Sequence, residues 1–522
     1  MRICIPTAGT GSRLGELTRF INKSLVALAN RPTICHLIEQ CPADAEFVIA
    51  LGHKGDLVRQ FLELAYPERR FYFAEVSPFE GPGSGLGLSL LACREYLQQP
   101  FVFMSCDTLV RQALPPLTQN WMAYAEQVAQ LGHYRTLQVQ DGQTVAVCEK
   151  GQGQPGSHFA YIGLAGIVDY AAFWQAMETG GAEAINTGEA HGLRALLAAA
   201  RPVAAFGCTW YDTGNPAALA AAQAAYAEPG APNILPKANE AIWFVGDDVI
   251  KFSDDQSFIA NRALRAQEIG EFVPRLTGLR KNMYSYKNVR GKVLSECVTL
   301  PVFEKLLTHC RHFWQPAVLT DAARDTFKAS CRKFYRDKSL ERIALYYKNF
   351  GTQDGAEDIN GQPQHTLAHV LQQVDWEWLA DGGAGRFHGD FHFENILMSD
   401  DGSFTFLDWR QDFGGSLSTG DVYYDLGKLL HGLIICHELI AKDLYEVHSD
   451  QSGIHYDFLR KQILVECEQY FMHWLAQHGY EVKKVRVMCA LIYLNIAALH
   501  HAPYCHLLYA LGKNMLAQAL AD

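Results

Sequence analysis

The stretch His388-Gly389-Asp390-Phe391-His392-Phe393-Glu394-Asn395-Ile396-Leu397, followed by Leu407-Asp408-Trp409, constrains this chain more than any other part of it. It sets out an Asp, an Asn five residues later and a second Asp thirteen residues beyond that. The first carboxylate can accept the proton of an attacking hydroxyl. The Asn and the second Asp can hold magnesium ions that neutralise a transferring γ-phosphate. Nearly 400 residues precede this stretch, far more than a nucleotide-binding lobe in front of such a centre requires. A second functional unit is therefore expected ahead of it.

At 522 residues the chain has room for roughly three domains, or two large ones. With 49% hydrophobic and 19% charged residues, it can bury substantial cores. A formal charge of −11 argues against general affinity for nucleic acid, which needs many lysine and arginine contacts to phosphates. Local basic pockets for nucleotides remain open. The first residues run directly into a strand-like segment with no apolar signal core, and no run reaches the ~18 apolar residues of a membrane span. The 14 cysteines contain no Cys-x-x-Cys pair and read as buried thiols rather than disulfides or zinc ligands. A cytoplasmic enzyme is the expectation.

The first 110 residues alternate strand-like runs (Arg2–Pro6, Glu46–Leu51, Phe71–Val76, Phe101–Met104) with helical apolar spacing (Thr33–Gln40, Asp56–Ala65, Gly87–Tyr96). Such alternation predicts an α/β domain with a mostly parallel sheet, helices on both faces and ligands at the carboxyl ends of the strands. The helical segment Pro216–Ala227 runs into a proline- and glycine-rich segment, Glu228–Pro236, the best candidate linker. From about Ile242 the pattern changes. Short strands (Ile242–Val245, Asp248–Phe252, Asn282–Asn288, Lys292–Glu296) surround one helical stretch, Phe258–Ile269, and the rest is predominantly helical. The expected division is 1–228, a linker at 229–240, and 241–522.

Directly after the first strand stands Ala8-Gly9-Thr10-Gly11-Ser12-Arg13-Leu14, opening into Asn22-Lys23-Ser24-Leu25. Gly9 and Gly11 let backbone amides approach a triphosphate, and Arg13 and Lys23 can balance its charge. Taken alone, the glycine pattern is a weak signal and is more often a tight strand-to-helix turn. The full string resembles the signature of nucleotidyltransferases of the sugar-phosphate and phosphocholine type, with Thr18, Lys23 and Leu25 in register. Asn22 and Ser24 stand where that family carries prolines, and Glu16 where another is common. The resemblance spans roughly residues 1–228. It implies a Rossmann-like domain with a mixed sheet and helices on both faces. Asp107 and Asp212 would then be magnesium ligands, and Lys150 a contact to the acceptor phosphate. Ala8, Gly9 and Gly11 would line the nucleotide, with Gly83 and Gly85 on the nucleobase side. Without the resemblance, Asp107 is equally a strand-end cap and Asp212 an Asx turn. Two carboxylates holding magnesium at an α-phosphate, with Lys23 and Arg13 stabilising in-line attack, make coherent chemistry.

The stretch around Asp390 resembles the catalytic loop of the aminoglycoside phosphotransferase and choline kinase superfamily, which has a protein-kinase-like fold. Phe393-Glu394 replaces the Pro-Gly common before the Asn. The resemblance covers approximately 240–522 and implies a bilobal α+β domain in which Asp390 is the base and Asn395 and Asp408 bind magnesium. Asp425 would brace the loop, and His388 and His392 would organise it rather than bind metal. Lys251, on a strand, fits the lysine that meets ATP, and Glu268 the acid that orients it, with Glu271 a rival. Trp376, Trp378, Tyr493 and Tyr504 could cage a quaternary ammonium, although core packing is the commoner role. His500, His501 and Tyr504 are weaker candidates for the acceptor side.

Together the halves read as consecutive steps: ATP-dependent phosphorylation of a small alcohol, amino alcohol or polyol, then nucleotidyl transfer to the monoester, with CTP favoured. The arrangement is similar to fused choline kinase and phosphocholine cytidylyltransferase proteins, and to enzymes supplying activated groups for surface polysaccharide. It implies Mg2+, ATP and a second NTP, a small-molecule acceptor, and neither nucleic acid nor a membrane span. One alternative is an anomeric sugar kinase fused to a UDP- or GDP-sugar pyrophosphorylase. Others are a domain reduced to a ligand sensor, and antibiotic phosphorylation by the rear domain.

Overall fold

The computed structural model describes residues 1–227, 237–450 and 453–521. The candidate linker segment Glu228–Pro236 lies outside the described residues. Two compact units emerge: Met1–Gln256 with Thr277–Asn288, and Ser257–Leu276 with Val289–Asp522.

The first unit is built on a nine-stranded sheet. Its strands are β1 (Arg2–Pro6), β2 (Glu46–Leu51), β3 (Arg70–Glu75), β4 (Phe101–Met104), β5 (Asn120–Ala125), β6 (Thr136–Gln140), β7 (Gln143–Cys148), β8 (His158–Ile167) and β9 (Val203–Cys208). They run in the order β3-β2-β1-β4-β8-β5-β9-β7-β6. The first four pair in parallel, while β8 runs antiparallel to β4 and β5. The sheet is therefore mixed, as the Rossmann-like expectation required. After Arg2, central β1 is apolar because both faces are covered: Ile3 and Ile5 enter one core and Cys4 the other. The expected strand at Phe71–Val76 begins one residue earlier.

A second, four-stranded sheet belongs to this same unit. Its strands are β10 (Glu240–Val245), β11 (Asp248–Ser253), β12 (Leu276–Leu279) and β13 (Met283–Lys287), ordered β10-β11-β13-β12. Apolar burial explains the grouping. Trp243, fully buried, meets Phe61 of the helix Gly55–Ala65 edge-on at 5.2 Å. Ile250, Phe252 and Met283 join the same core as Phe47 and Ile49. The amide of Asn282 donates to Gln60 Oε1 at 2.9 Å, and Arg280 pairs with Glu63 at 3.1 Å.

The second unit is mainly helical. Val422–Ile434 is buried along its whole length and packs on Val482–Ala497, which in turn packs on Tyr504–Ala521. A hairpin, Ile396–Met398 and Phe404–Phe406, folds Asp408 back toward Asn395. The sequence pattern predicts a strand over Lys292–Glu296. Only Lys292–Val293 pair as strand, and Leu294–Cys297 turn into a helix that buries Leu294. All 14 cysteines are free thiols, 12 of them buried. Among the described residues, no helix is long and apolar enough to cross a membrane.

Candidate active sites

In the first unit the glycine loop leaves the carboxyl end of β1. Gly11 adopts a left-handed conformation (φ +68), and a Cβ there would lie 2.9 Å from the Lys23 Cβ. Gly9 is exposed and open on every side, so its amide is accessible to a ligand. Ala8 is buried, and its carbonyl accepts from His53 N–H at 2.9 Å. The loop is closed by Asn22, which donates to the carbonyls of Thr7 (2.9 Å) and His53 (2.7 Å). Asn22 also accepts from Ser24 N–H (2.9 Å) and Ser24 Oγ (2.8 Å). Here the two residues that stand in place of prolines fix the backbone with hydrogen bonds instead of rings.

Lys23 Nζ pairs with Asp107 Oδ2 at 3.2 Å, and Ser105 Oγ donates to Asp107 Oδ1 at 2.6 Å. The ribbon of Thr108–Val110 and Trp210–Asp212 pairs Thr108 with Asp212, which brings the second carboxylate alongside. Gly214 marks the meeting point. A Cβ there would lie 3.0 Å from Asp212 Oδ1, 3.1 Å from Asp107 Oδ2 and 3.4 Å from Arg13 Nη2. Burial opposes ionisation of Asp107, but Lys23, the Ser105 hydroxyl and Arg13 outweigh it and hold the carboxyl below its usual range. Asp212 moves the other way, raised by burial and by Asp107, although Gly214 N–H donates to it. Burial also opposes the charge on Lys23, yet Cys106 and Asp107 raise its pKa above the usual value.

Lys150 is exposed; its neighbour Glu149 is gripped by Arg135 (3.1 Å) and Arg194 (2.6 Å). Gly83 is exposed with φ +84. Gly85 has a packing reason to be glycine, since a Cβ would come within 2.3 Å of the Ile185 carbonyl oxygen.

In the second unit the loop bearing Asp390 is tied down by a buried acid. Asp425 accepts from the backbone N–H groups of His388 (2.6 Å) and Gly389 (2.7 Å) and from Trp314 Nε1 (3.0 Å). Burial pushes Asp425 up to about 6. His388 Nε2 lies 2.8 Å from the Leu407 carbonyl, and Nδ1 accepts from Asp390 N–H at 3.2 Å. Burial holds this imidazole neutral, its pKa down to about 3.

Asp390 itself pairs with Lys428 at 2.7 Å, with His392 at 3.6 Å. Burial resists its ionisation, but Lys428 and His392 overcome this and carry its pKa well below the carboxylate norm. Asn395 donates from Nδ2 to the Asp390 carbonyl at 2.9 Å and to Asp390 Oδ2 at 3.3 Å. Among the described residues nothing donates to Asn395 Oδ1, so this oxygen is available to a cation. Asp408 takes a left-handed conformation (φ +59) and pairs with Arg262. His392, Glu394 and His437 present ligand atoms within 4.8 Å of one another and are joined by hydrogen-bonded ion pairs of 2.8 and 3.4 Å. His388 and His392 thus hold the loop together, in keeping with the role the sequence implied.

Lys251 is buried on β11. Glu268 is exposed and has no hydrogen bond among the described residues, and Glu271 is exposed as well. The buried charges of the helix Gln256–Ile269 are Arg262 and Arg265. Arg265 donates to the carbonyls of Phe387 (2.5 Å), Leu417 (3.0 Å) and Arg410 (3.2 Å). Sequence reasoning missed these two arginines and Lys428. Arg262 and Arg265 stand on the buried face of their helix and Lys428 in a helix buried throughout, and a charge at such an apolar position was the available signal. Tyr493 is a core residue whose hydroxyl donates to the His431 carbonyl at 2.8 Å, and Trp378 Nε1 donates to Glu481 at 2.8 Å.

Residues 327–461, which include Asp390, Asn395 and Asp408, match the phosphotransferase enzyme family APH. The C-terminal region carries an APH phosphotransferase domain. No curated protein sequence matches the chain significantly. Solved nucleotidyltransferase structures resemble the N-terminal part. One is UDP-glucose pyrophosphorylase complexed with UDP-glucose, at 18% identity and TM-score 0.36, covering 43% of this chain and 97% of that one. Another is UDP-glucose pyrophosphorylase from Acinetobacter baumanii, at 16% and 0.36, covering 44% and 95%. A third is the inositol-1-phosphate CTP transferase from T. maritima, at 14% and 0.35, covering 44% and 98%.

The donor sets suit magnesium, a hard cation that prefers oxygen. Asp107 and Asp212 offer converging carboxylates in one site, and Asp408 with Asn395 Oδ1 an acid and a carbonyl oxygen in the other.

Proposed function

We propose that the chain is a bifunctional enzyme that phosphorylates a small alcohol or polyol with ATP and then transfers a nucleotidyl group to the resulting monoester. In the first step the substrate hydroxyl attacks the γ-phosphorus and its proton passes to Asp390. With a pKa this low Asp390 is a weak base, suited to orienting the hydroxyl and taking the proton late, as a loose phosphoryl-transfer transition state allows. In the second step a monoester oxygen attacks the α-phosphorus of a nucleoside triphosphate and pyrophosphate leaves. Lys23 and Arg13 stabilise the charge that builds on the α-phosphate. Magnesium, when bound, would screen phosphate charge in both sites. The front motifs resemble the phosphocholine branch about as well as the sugar branch; CTP is the favoured donor, and supply of an activated group for surface polysaccharide is the role proposed.

One observation carries this reading: each unit gathers acidic and basic groups at one place, around Gly214 in the first and around Asp390 in the second. The test is incubation with ATP, each nucleoside triphosphate and a panel of alcohols and sugars, followed by phosphorus NMR. Successive monoester and diphosphate-linked signals, with release of ADP and pyrophosphate, are expected. Absence of either product across the panel would reject the corresponding step.

A further inference from the structure

Next to Asp390 positive charge is in excess. Lys428 answers Asp390 and Arg262 answers Asp408. Lys338 and Arg410 stand close by, Arg342 lies one helical turn beyond Lys338, and among the described residues none of the three forms an ion pair. Arg410 is anchored beside the catalytic aspartate. Its N–H donates to the His388 carbonyl at 2.9 Å, and a Cβ on Gly389 would lie 2.5 Å from the Arg410 Cβ. Lys338 Nζ and Arg410 Cζ share one aromatic platform, 4.2 and 4.8 Å from the centroid of the Phe334 ring. Phe334 in turn packs on Phe413 and Tyr424. Lys338 opens its helix directly after a short π-helical segment, Lys333–Asp337, a rare local geometry often found at functional sites.

Burial first, then repulsion from Arg410, Arg342 and Lys428, depresses Lys338 to about 7, and Asp390 opposes the shift. Arginine cannot shed its proton. A partly buried group of cations that forms no ion pair among the described residues lowers its free energy by taking up an anion, and guanidinium groups match carboxylate and phosphate oxygens. An ammonium substrate would add to the repulsion instead.

We propose that Lys338, Arg342 and Arg410 bind an oxyanion on the alcohol that Asp390 deprotonates, so that the kinase acceptor is a carboxylated or phosphorylated hydroxy compound rather than an amino alcohol. This rests on the kinase reading above. In the reaction the hydroxyl oxygen bonds to the γ-phosphorus of ATP as the bond to the β–γ bridging oxygen breaks. The hydroxyl proton goes to Asp390, ADP leaves, and the anionic group of the acceptor is unchanged.

A matched three-carbon set tests this on the full chain: glycerate, glycerol 3-phosphate, glycerol and serinol, each titrated calorimetrically in the presence of magnesium and ADP. One or both anions should bind at least about tenfold tighter than glycerol or serinol, the size of one charge-assisted hydrogen bond. Which anion wins separates a carboxylate from a phosphate subsite. Lys338→Gln and Arg342→Gln should each weaken anion binding about tenfold and leave ADP affinity unchanged, and Lys338→Arg should restore it. Melting curves of each variant establish that it is folded. Equal binding of serinol or glycerol, or variants that weaken ADP and not the anion, would overturn the proposal. Release of ADP from ATP with these acceptors is followed in parallel. If the anions bind in a Lys338-dependent way and no acceptor elicits ADP, the kinase reading fails and the anion site stands.

Discussion

In the first unit Asp107 and Asp212 share one set of cations, whereas in the second Asp390 and Asp408 each hold a cation of their own. The consequences for charge differ. Around Gly214 one carboxyl is lowered and its neighbour raised, so Asp212 gives up its proton less readily than Asp107. Around Asp390 the carboxylate is held ionised by Lys428 and His392 before any ligand arrives. The first site holds its two acids unequally, while the second is organised in advance. That contrast fits a site that must assemble around a triphosphate and a second anion, and one that must align a single hydroxyl.

The largest expected effect tests whether the two sites are separate at all. Asp390→Ala should reduce ADP release about a thousandfold while sparing pyrophosphate release from supplied monoester, and Asp107→Ala should do the reverse. Loss of both activities in either variant would break the comparison.

Next comes the dependence of stability on acid. His388 has a pKa of about 3 in the folded protein against 6.5 as a reference, so between these values the unfolded chain binds the extra proton. Its contribution, up to about 4–5 kcal/mol, is full above pH 6.5 and is lost as pH falls toward 3. Asp425, raised from 3.8 to about 6, acts in the opposite sense: its neutral form favours folding below 3.8, and that contribution is lost as pH rises through 6. The His388 effect is therefore read as a difference. Melting temperatures of wild type and His388→Gln should converge as pH drops from 7 to 4, and parallel curves would contradict the assignment.

Lys428→Met sharpens the contrast further. Without its cation Asp390 should lose orientation and kinase kcat should fall about tenfold to a hundredfold, with the ATP KM little changed in steady-state assays. The smallest effect concerns the front loop. Asn22→Ala leaves the Thr7 and His53 carbonyls without their donor, and should cost about 1–3 kcal/mol in denaturant unfolding of the first unit.

Much of this was legible from local chemistry. β1, β2 and β4 fall on their expected residues because buried parallel strands are continuously apolar. Lys23, Asp107, Asp212, Asp390, Asn395 and Asp408 are found in two groups because each lies at a strand end or in a tight turn with a recognisable spacing. What escaped depended on distant partners. Arg262, Arg265 and Lys428 look like interruptions of apolar helix faces until the backbone carbonyls and carboxylates they meet, 38–152 residues away along the chain, are in place. Glu268 fitted a spacing, but the helix turns it to solvent. The short strand at Lys292 ends early because Leu294 gains more by burial on a helix than by continuing the pairing, a choice only tertiary packing makes.

The four-stranded sheet around Trp243 has a practical consequence for dissecting this molecule. The chain leaves the first compact unit after Gln256, returns for Thr277–Asn288 and leaves again, so no single cut separates the two units. A fragment beginning near residue 241 would carry Trp243, Phe252 and Met283 without Phe61 and Phe47, and would expose an apolar face prone to self-association. Splitting the two activities between separate chains therefore calls for point variants in the intact protein, not scissors.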